Sequence, residues 1–369
     1  MVLAAGIGSA GPDGGPIRIG VAGPMDGDQG KMGQDILNGA RLAIDECNGR
    51  GGVLGRRIEI VEGNDQHDPR QARQVADRFL DAEVVGVIGH FNSDCSIPAS
   101  DVYAEEGVVQ ITPASTNPRF TDRGLDTVFR VCGRDDQQGR VAADFVVDVL
   151  GKRRVAVLHD RTTYGQGLAD AFAVRLRERG VEPVAEEGIV QGEQDYRAVL
   201  GSVKPHNPEV LFFGGIYREG GLIARQAREQ GLAATFLSGD GVIDQTFVEI
   251  AGIEAAEGSC FTFTPDVRNM PSAAETVRTY ESRFGELGPY SIYGYVAAQV
   301  MLEGIRRAGG VDGLAVAHVL REGTYETVLG PLSFDDKGDT RSAPYVVYVT
   351  RGGKFVQHTG LDGRPLAGP

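Results

Sequence analysis

Short apolar runs alternate with amphipathic helical stretches along most of this chain. Residues 17–23 (IRIGVAG) form a near-continuous apolar run that predicts a buried strand. Similar runs at 57–62 and 83–89 flank a helix whose start is marked by Asp68 as N-cap and Pro69 as first helical residue. Apolar strands separated by helices are typical of a parallel sheet covered on both faces. The first part of the chain is therefore predicted to be an α/β unit.

The same alternation starts again near residue 154. Strands or extended segments of this second unit are predicted at 154–160, 183–190, 210–216, 235–238 and 258–264. Helices are then predicted at 272–284, 291–308 and 314–322. The chain ends in short strands predicted at 330–334, 344–350 and 354–358. This order suggests that the late helices return to the first unit and the last strands cross to the second. Several crossings between two units create a hinge and a cleft.

Two strands of the first unit end abruptly in small hydroxyl residues. The stretch 87–96 (VIGHFNSDCS) runs into a helix predicted from about 96 to 106, and 111–116 (ITPAST) repeats the pattern. A strand that leads into a helix start offers free backbone N–H groups and the positive end of the helix dipole. Neither turn contains lysine or arginine, so the site suits a carboxylate better than a polyphosphate. The hydroxyls concerned belong to Ser93, Ser96, Ser115 and Thr116; the alternative is that they only cap a helix and a turn.

The second unit offers the opposite charge at its own strand ends. Asp240 follows the predicted strand 235–238 and provides a carboxylate for a cation. The rings of Tyr164, Tyr217 and Tyr290 are candidates to wall the remainder. A zwitterion with a small side chain would satisfy both ends of such a cleft. Taken singly, a strand-end aspartate such as Asp240 is more often a turn cap than a ligand contact, and Tyr164 and Tyr290 are more often packing residues, so the prediction rests on the set.

Composition narrows the possible functions. The 369 residues suffice for two domains, and the formal net charge of −14 argues against a nucleic-acid or anionic-membrane partner. The sequence has no run of eighteen apolar residues, and its four cysteines are scattered rather than spaced for zinc. Neither a glycine-rich phosphate loop nor a nucleophile elbow is present. We therefore predict a binding protein rather than an enzyme, without catalytic residues, metal or cofactor.

Several ordered motifs resemble one family. They are NGARLAID at 38–45, VIGH at 87–90, ITPA at 111–114, YGQGL at 164–168 and GPLSFDDKGD at 330–339. With these motifs the chain resembles the leucine/isoleucine/valine-binding proteins, the periplasmic solute receptors of bacterial ABC transporters. The resemblance implies the type I periplasmic-binding fold, with two Rossmann-like lobes of parallel-rich sheets joined by a three-strand hinge. The implied lobes are 17–134 with 265–345, and 135–264 with 346–369.

The resemblance also implies roles for individual residues. Ser93 and the run Ala114, Ser115 and Thr116 would hold an amino-acid carboxylate, while Tyr164 and Asp240 would face its α-amino group. Ile216, Tyr217 and Tyr290 are expected to line the same cleft. Met32 and Ile216 stand where branched-chain receptors commonly have tyrosine, which leaves the side-chain preference open. An apolar, branched-chain amino acid is expected, and the alternatives are an amide, urea or aromatic acid, or a sensory ligand-binding domain on the same fold.

The resemblance finally implies a location and a partner. A monomeric receptor outside the cytoplasm would deliver its amino acid to the membrane permease of an ABC transporter. Residues 1–16 are small and glycine-rich but lack the basic start and apolar core of a secretory signal. They are expected to be a leader or a disordered tail.

Overall fold

The first strand of the chain is buried on both of its faces. Ile17, Ile19, Val21 and Ala22 all have 0% exposure, as the near-continuous apolar run predicts. The computed structural model describes residues 14–366. Most of the predicted leader and the last three residues of the predicted second lobe lie outside this range.

The strands and helices of the described residues follow the predicted alternation. In chain order the strands are β1 Ile17–Gly23, β2 Ile58–Asn64, β3 Gly86–Ile88, β4 Val109–Thr112, β5 Val128–Arg130, β6 Val155–His159, β7 Ala185–Gly188, β8 Val210–Gly214, β9 Thr235–Ser238, β10 Cys260–Phe263, β11 Thr324–Thr327, β12 Gly330–Ser333, β13 Val346–Arg351 and β14 Lys354–Gln357. The helices are α1 Gly30–Gly49, α2 Pro69–Asp81, α3 Ser93–Glu105, α4 Arg119–Asp122, α5 Asp135–Asp144, α6 Thr163–Glu178, α7 Arg197–Val203, α8 Tyr217–Glu229, α9 Gln245–Ala251, α10 Ile253–Ala256, α11 Ala274–Phe284, α12 Ser291–Ala308 and α13 Gly313–Glu322.

The strands form two large sheets and a small ribbon. The first sheet has the order β2-β1-β3-β4-β5, and all its strands are parallel. The second has the order β14-β13-β10-β9-β8-β6-β7, with β13 and β14 antiparallel at one edge and the other strands parallel. The ribbon pairs β11 with β12. The predicted α/β fold of two parallel-rich sheets is confirmed.

The late helices pack on the first sheet. α12 lies against α1, and glycines on both helices allow a close approach, since a side chain at Gly39 would lie 1.9 Å from the Ser291 carbonyl oxygen. A side chain at Gly294 would lie 2.4 Å from the carbonyl oxygen of Ile36. The chain thus passes between the sheets after β5, after β10 and before β13. Within residues 14–366, no helix is long and apolar enough to cross a membrane.

Candidate functional site

The hydroxyl-rich loops after β3 and β4 are built against each other. The Ser115 hydroxyl donates to the Phe91 carbonyl oxygen at 2.9 Å and lies 2.6 Å from the Ser96 hydroxyl. The Thr112 hydroxyl oxygen accepts hydrogen bonds from the N–H groups of Ala114 and Ser115. Ala114 and Ser115 therefore lie where the sequence predicts, but these groups hold the two loops together.

Ser93 and Thr116 keep donors that point away from this framework. α3 begins at Ser93, three residues earlier than predicted, so the Ser93 N–H belongs to the first turn of a thirteen-residue helix. The Ser93 hydroxyl oxygen accepts a 3.3 Å hydrogen bond from the Asn117 N–H and retains its own proton for donation. The Thr116 hydroxyl is buried and makes no hydrogen bond within the described part of the chain. On the first-sheet side of the boundary between the two large sheets, the neutral donors are thus those of Ser93 and Thr116.

Asp240 faces the boundary from the second sheet. It lies directly after β9 in a short 3-10 turn, and only 4% of the residue is exposed. Its Oδ1 accepts a 2.8 Å hydrogen bond from the Tyr164 hydroxyl, and its Oδ2 a 3.2 Å hydrogen bond from the Tyr290 hydroxyl. Tyr164 lies in the first turn of α6, and Tyr290 directly precedes α12, which packs on the first sheet. Three of the predicted residues therefore meet across the boundary.

Glycines bring the start of α6 close to the second sheet. A side chain at Gly165 would lie 2.2 Å from Asp160 Oδ1, and one at Gly214 would lie 2.0 Å from the Gly165 carbonyl oxygen. A side chain at Gly241 would lie 2.8 Å from the Tyr164 ring. The Gly241 N–H also donates to the Tyr164 hydroxyl oxygen at 2.9 Å. Close backbone packing thus fixes the ring of Tyr164 beside Asp240.

A second buried acid accompanies Asp240. Asp135, the first residue of α5, has 0% exposure, and within the described residues neither carboxyl oxygen has a partner in hydrogen-bond geometry. Burial and then the nearby Asp240 carboxylate raise the pKa of Asp135 well above its usual range, against the opposing effect of the Thr116 hydroxyl. Burial also raises the pKa of Asp240, against the hydrogen bonds from the Tyr164 and Tyr290 hydroxyls. A cation beside Asp240 would offset the cost of burying its charge.

The remaining predicted residues lie nearer the edge of the boundary. Met32 is buried in the first turn of α1, at 2% exposure. Ile216 lines a surface cleft of about 390 Å³ together with Asp28, and the Tyr217 hydroxyl donates to the Asp28 carbonyl oxygen. Ile216 and Tyr217 therefore belong to the contact between the sheets. The same boundary carries an ion pair of 2.7 Å between Lys31 Nζ and an oxygen of Asp244.

The first turn of α6 touches both loops of the first sheet. The Thr163 N–H donates to Asp94 Oδ1 at 2.8 Å, and its carbonyl oxygen accepts from the Asn117 side-chain amide at 2.7 Å. With the Tyr290–Asp240 hydrogen bond, these contacts describe a closed arrangement in which the two sheets' loops meet over the buried acids.

The family model for periplasmic binding proteins matches residues 16–354. The chain belongs to the periplasmic binding protein family. This periplasmic binding protein is 43% identical to Leu/Ile/Val-binding protein homolog 1 of Brucella suis biovar 1 (strain 1330), over 94% of each chain. It is 42% identical to a Pseudomonas aeruginosa protein named amino acid binding protein, over 90% of this chain and 89% of the relative.

Solved structures of related receptors share the fold. The leucine-binding protein LivK of Thermotoga maritima is 31% identical, with a TM-score of 0.87 over 93% of this chain and 98% of that one. The branched-chain amino acid transporter substrate-binding protein LivJ of Streptococcus pneumoniae, solved with isoleucine, is 26% identical, with a TM-score of 0.84 over 93% and 99%. The family resemblance inferred from the motifs is confirmed.

The buried Asp135 of this binding protein is not among the site residues predicted from the sequence. The run 135–138 (DDQQ) has the D-x-x-Q spacing of a capping box and predicts the start of a helix. In the structure the cap is Arg134, whose N–H donates to the Gln137 side chain, while Asp135 lies inside the first helical turn. The signal available in the sequence is the position of Asp135, which follows β5 where the chain passes from the first sheet to the second.

Proposed function

We propose that this protein captures an apolar, branched-chain amino acid between its two sheets and presents it to an ABC transporter. The observation that carries the proposal is the opposition of charge-matched groups across one boundary. Ser93 and Thr116 offer neutral donors on one side, while Asp240 lies buried on the other. A zwitterion fits this arrangement, with its carboxylate at the donors and its ammonium at Asp240.

Aromatic rings near Ser93 favour a ligand with an apolar side chain. The rings of Phe91 and Tyr290 meet edge to face at 5.0 Å, and Tyr290 contacts Phe263 in the same way at 5.9 Å. Phe91 belongs to the loop that also carries Ser93, so an amino acid held there would rest against these rings. The names of the Brucella suis and Thermotoga maritima relatives, which refer to leucine, isoleucine or valine, point to the same class of ligand.

Ligand capture by hinge closure is the second part of the proposal. The proposed lobes are 17–134 with 265–345, and 135–264 with 346–369, joined by three chain passages. The strands of each large sheet fall inside one of these ranges, and α12 packs against α1 of the first lobe. We propose that the receptor acts as a monomer outside the cytoplasm and docks on a membrane permease when closed.

A ligand screen tests the proposal. Thermal unfolding is measured with each common amino acid, because a ligand that binds only the folded form raises the melting temperature. Leucine, isoleucine or valine is expected to give the largest shift, with one molecule bound per chain by isothermal titration. The matched control is 4-methylpentanoate, which lacks only the amino group of leucine. Equal binding of leucine and 4-methylpentanoate would favour the amide or aromatic-acid alternative and refute an ammonium site.

A further inference from the structure

A fully buried arginine lies behind the loop that carries Thr116. Arg130, the last residue of β5, has 0% exposure. Its Nη1 donates to the Ser115 carbonyl oxygen at 2.8 Å, and its Nη2 donates to the Asn117 carbonyl oxygen at 3.0 Å. The guanidinium therefore holds the residues on both sides of Thr116. Since both contacts are to main-chain carbonyls, they fix the course of the backbone rather than a side chain.

These contacts determine where the Thr116 N–H points. The peptide group between Ser115 and Thr116 is planar and trans, so its carbonyl and its N–H point in opposite directions. When the Ser115 carbonyl faces Arg130, the Thr116 N–H must face away from the guanidinium. Within the described residues, this N–H makes no hydrogen bond in the structure. Arg130 thus leaves the Thr116 N–H unengaged on the far side of the loop.

An ion-pair network holds Arg130 in this orientation. Its Nε lies 2.6 Å from Asp339 Oδ1, and Asp339 Oδ2 lies 2.6 Å from Nη1 of Arg134. Asp339 also accepts a 2.8 Å hydrogen bond from the Thr121 hydroxyl. Arg134 caps the helix that begins at Asp135. One carboxylate from a distant segment therefore connects the Thr116 loop to the start of α5.

We propose that Arg130 is a positioning residue for the ligand carboxylate. Arg130 does not touch the ligand. It turns the Thr116 N–H toward the cleft, and Asp339 holds the planar guanidinium group of Arg130 in place. A buried arginine whose fork binds two carbonyls can be replaced by lysine only with loss of that geometry, although the charge remains. The inference rests on the proposed function, because it names the group that orients one end of the amino acid.

A double-mutant cycle tests the role of Arg130. Arg130→Lys is expected to weaken amino-acid binding about tenfold, comparable to the loss of one well-aligned hydrogen bond to a charged group. In a Thr116→Pro background, which lacks the oriented N–H, the same change should cost less than about twofold. In a Tyr290→Phe background, which alters the ammonium side, it should again cost about tenfold. Isothermal titration measures the affinities of the parent, the three single variants and the two double variants, and Asp339→Asn repeats the cycle if Arg130→Lys fails to fold.

The outcomes separate a positioning role from a general structural role. A loss that is equal in the Thr116→Pro and Tyr290→Phe backgrounds, or no loss in any background, would overturn the inference. The crystal structure of Arg130→Lys gives a readout that needs no ligand, because the peptide between Ser115 and Thr116 should change orientation. An unchanged peptide contradicts the positioning role. A parent protein that binds no amino acid refutes the proposed function instead, and the variant's crystal structure then still decides the role of Arg130.

Discussion

At the scale of single residues, the chemistry of the site depends on buried carboxyl groups. Asp135 and Asp240 are both buried, and Asp240 accepts hydrogen bonds from the Tyr164 and Tyr290 hydroxyls. Burial raises the pKa of both carboxyls, and the Asp240 charge raises that of Asp135 further. A ligand ammonium beside Asp240 would favour its ionised form. The proposed site would thus select for a cationic group at this end.

Removing the charge of Asp240 should nearly abolish binding. Asp240→Asn keeps the shape of the side chain but leaves the ligand ammonium buried without its main counter-charge, so affinity is expected to fall about 100-fold or more. Isothermal titration of the amino acid that binds the parent measures this. Asp312→Asn is the matched control, since it removes the same charge from the cap of α13 and asparagine caps helices equally well. Unchanged affinity of Asp240→Asn would show that the ammonium lies elsewhere.

Asp35 provides a pH-dependent contribution to stability. Burial raises its pKa from 3.8 to about 7, although Lys31 acts in the opposite direction. Between these values the folded protein holds a proton that the unfolded chain has lost, so the free energy of unfolding falls as pH rises through this window. The fall should be smaller in Asp35→Asn, which has no carboxyl to titrate. Urea unfolding at about pH 5 and about pH 8 compares the two proteins, and equal pH dependence contradicts the assignment.

At the scale of elements, the first turns of helices make the boundary between the sheets. The N-terminal parts of α1, α6 and α8 each send contacts across it, through Lys31, Thr163 and Tyr217 respectively. Lys31 pairs with Asp244, whose other oxygen caps α9 by accepting from the Thr246 N–H. The ion pair can exist only when the two sheets approach, so it stabilises the closed arrangement over an open one.

Loss of the Lys31 charge should therefore shift the balance toward the open form. Lys31→Met is expected to weaken ligand binding about threefold to tenfold, mainly through faster dissociation. Stopped-flow measurement of ligand release tests this. Lys152→Met is the control, because Lys152 pairs with Glu209 within the region of the second sheet, at 3.6 Å. Equal release rates in the parent and both variants would show that the pair does not stabilise closure.

The start of α3 shows what local patterns miss. The sequence predicts a helix from about residue 96 to about residue 106. The helix instead begins at Ser93 and continues through Pro98, which places a predicted ligand donor inside the first turn. The strand that leads into it and the polar loop were still recognised, because apolar runs and hydroxyl clusters are local features.

The residues that sequence reasoning could not place depend on distant partners. Arg134 and Asp339 lie 205 residues apart, and no local pattern indicates that they meet beside Arg130. Asp135 fits a helix-capping pattern in the sequence, and its proximity to Asp240 is not visible there because the two lie far apart along the chain. By contrast, the sequence groups Asp240 with Tyr164, and the structure joins them by a hydrogen bond, since both follow strands of one parallel sheet with only β8 between them.

At the scale of the whole molecule, two sheets connected by three chain passages suit a closing motion. Hydrogen bonds and ion pairs cross the boundary, among them Lys31–Asp244, Thr163–Asp94 and Tyr290–Asp240, together with the ring contact between Phe263 and Tyr290. Polar contacts between domains of one chain are compatible with relative domain motion. The buried acids become accessible only if the sheets separate, so entry of a ligand requires an open form.

Ligand binding should make the protein more compact. The radius of gyration from small-angle scattering is expected to decrease when the amino acid is added to the parent. Asp240→Asn at the same amino-acid concentration serves as the control and should remain extended. A parent that scatters identically with and without a bound ligand would contradict hinge closure.

The crystal structure of the complex tests the central claim most directly. The protein is crystallised with the amino acid that gives the largest thermal shift. The ligand carboxylate should lie within hydrogen-bond distance of Ser93 and Thr116, and its ammonium within the same distance of Asp240. An amino acid bound with its two ends exchanged, or bound away from the boundary between the sheets, would contradict the account.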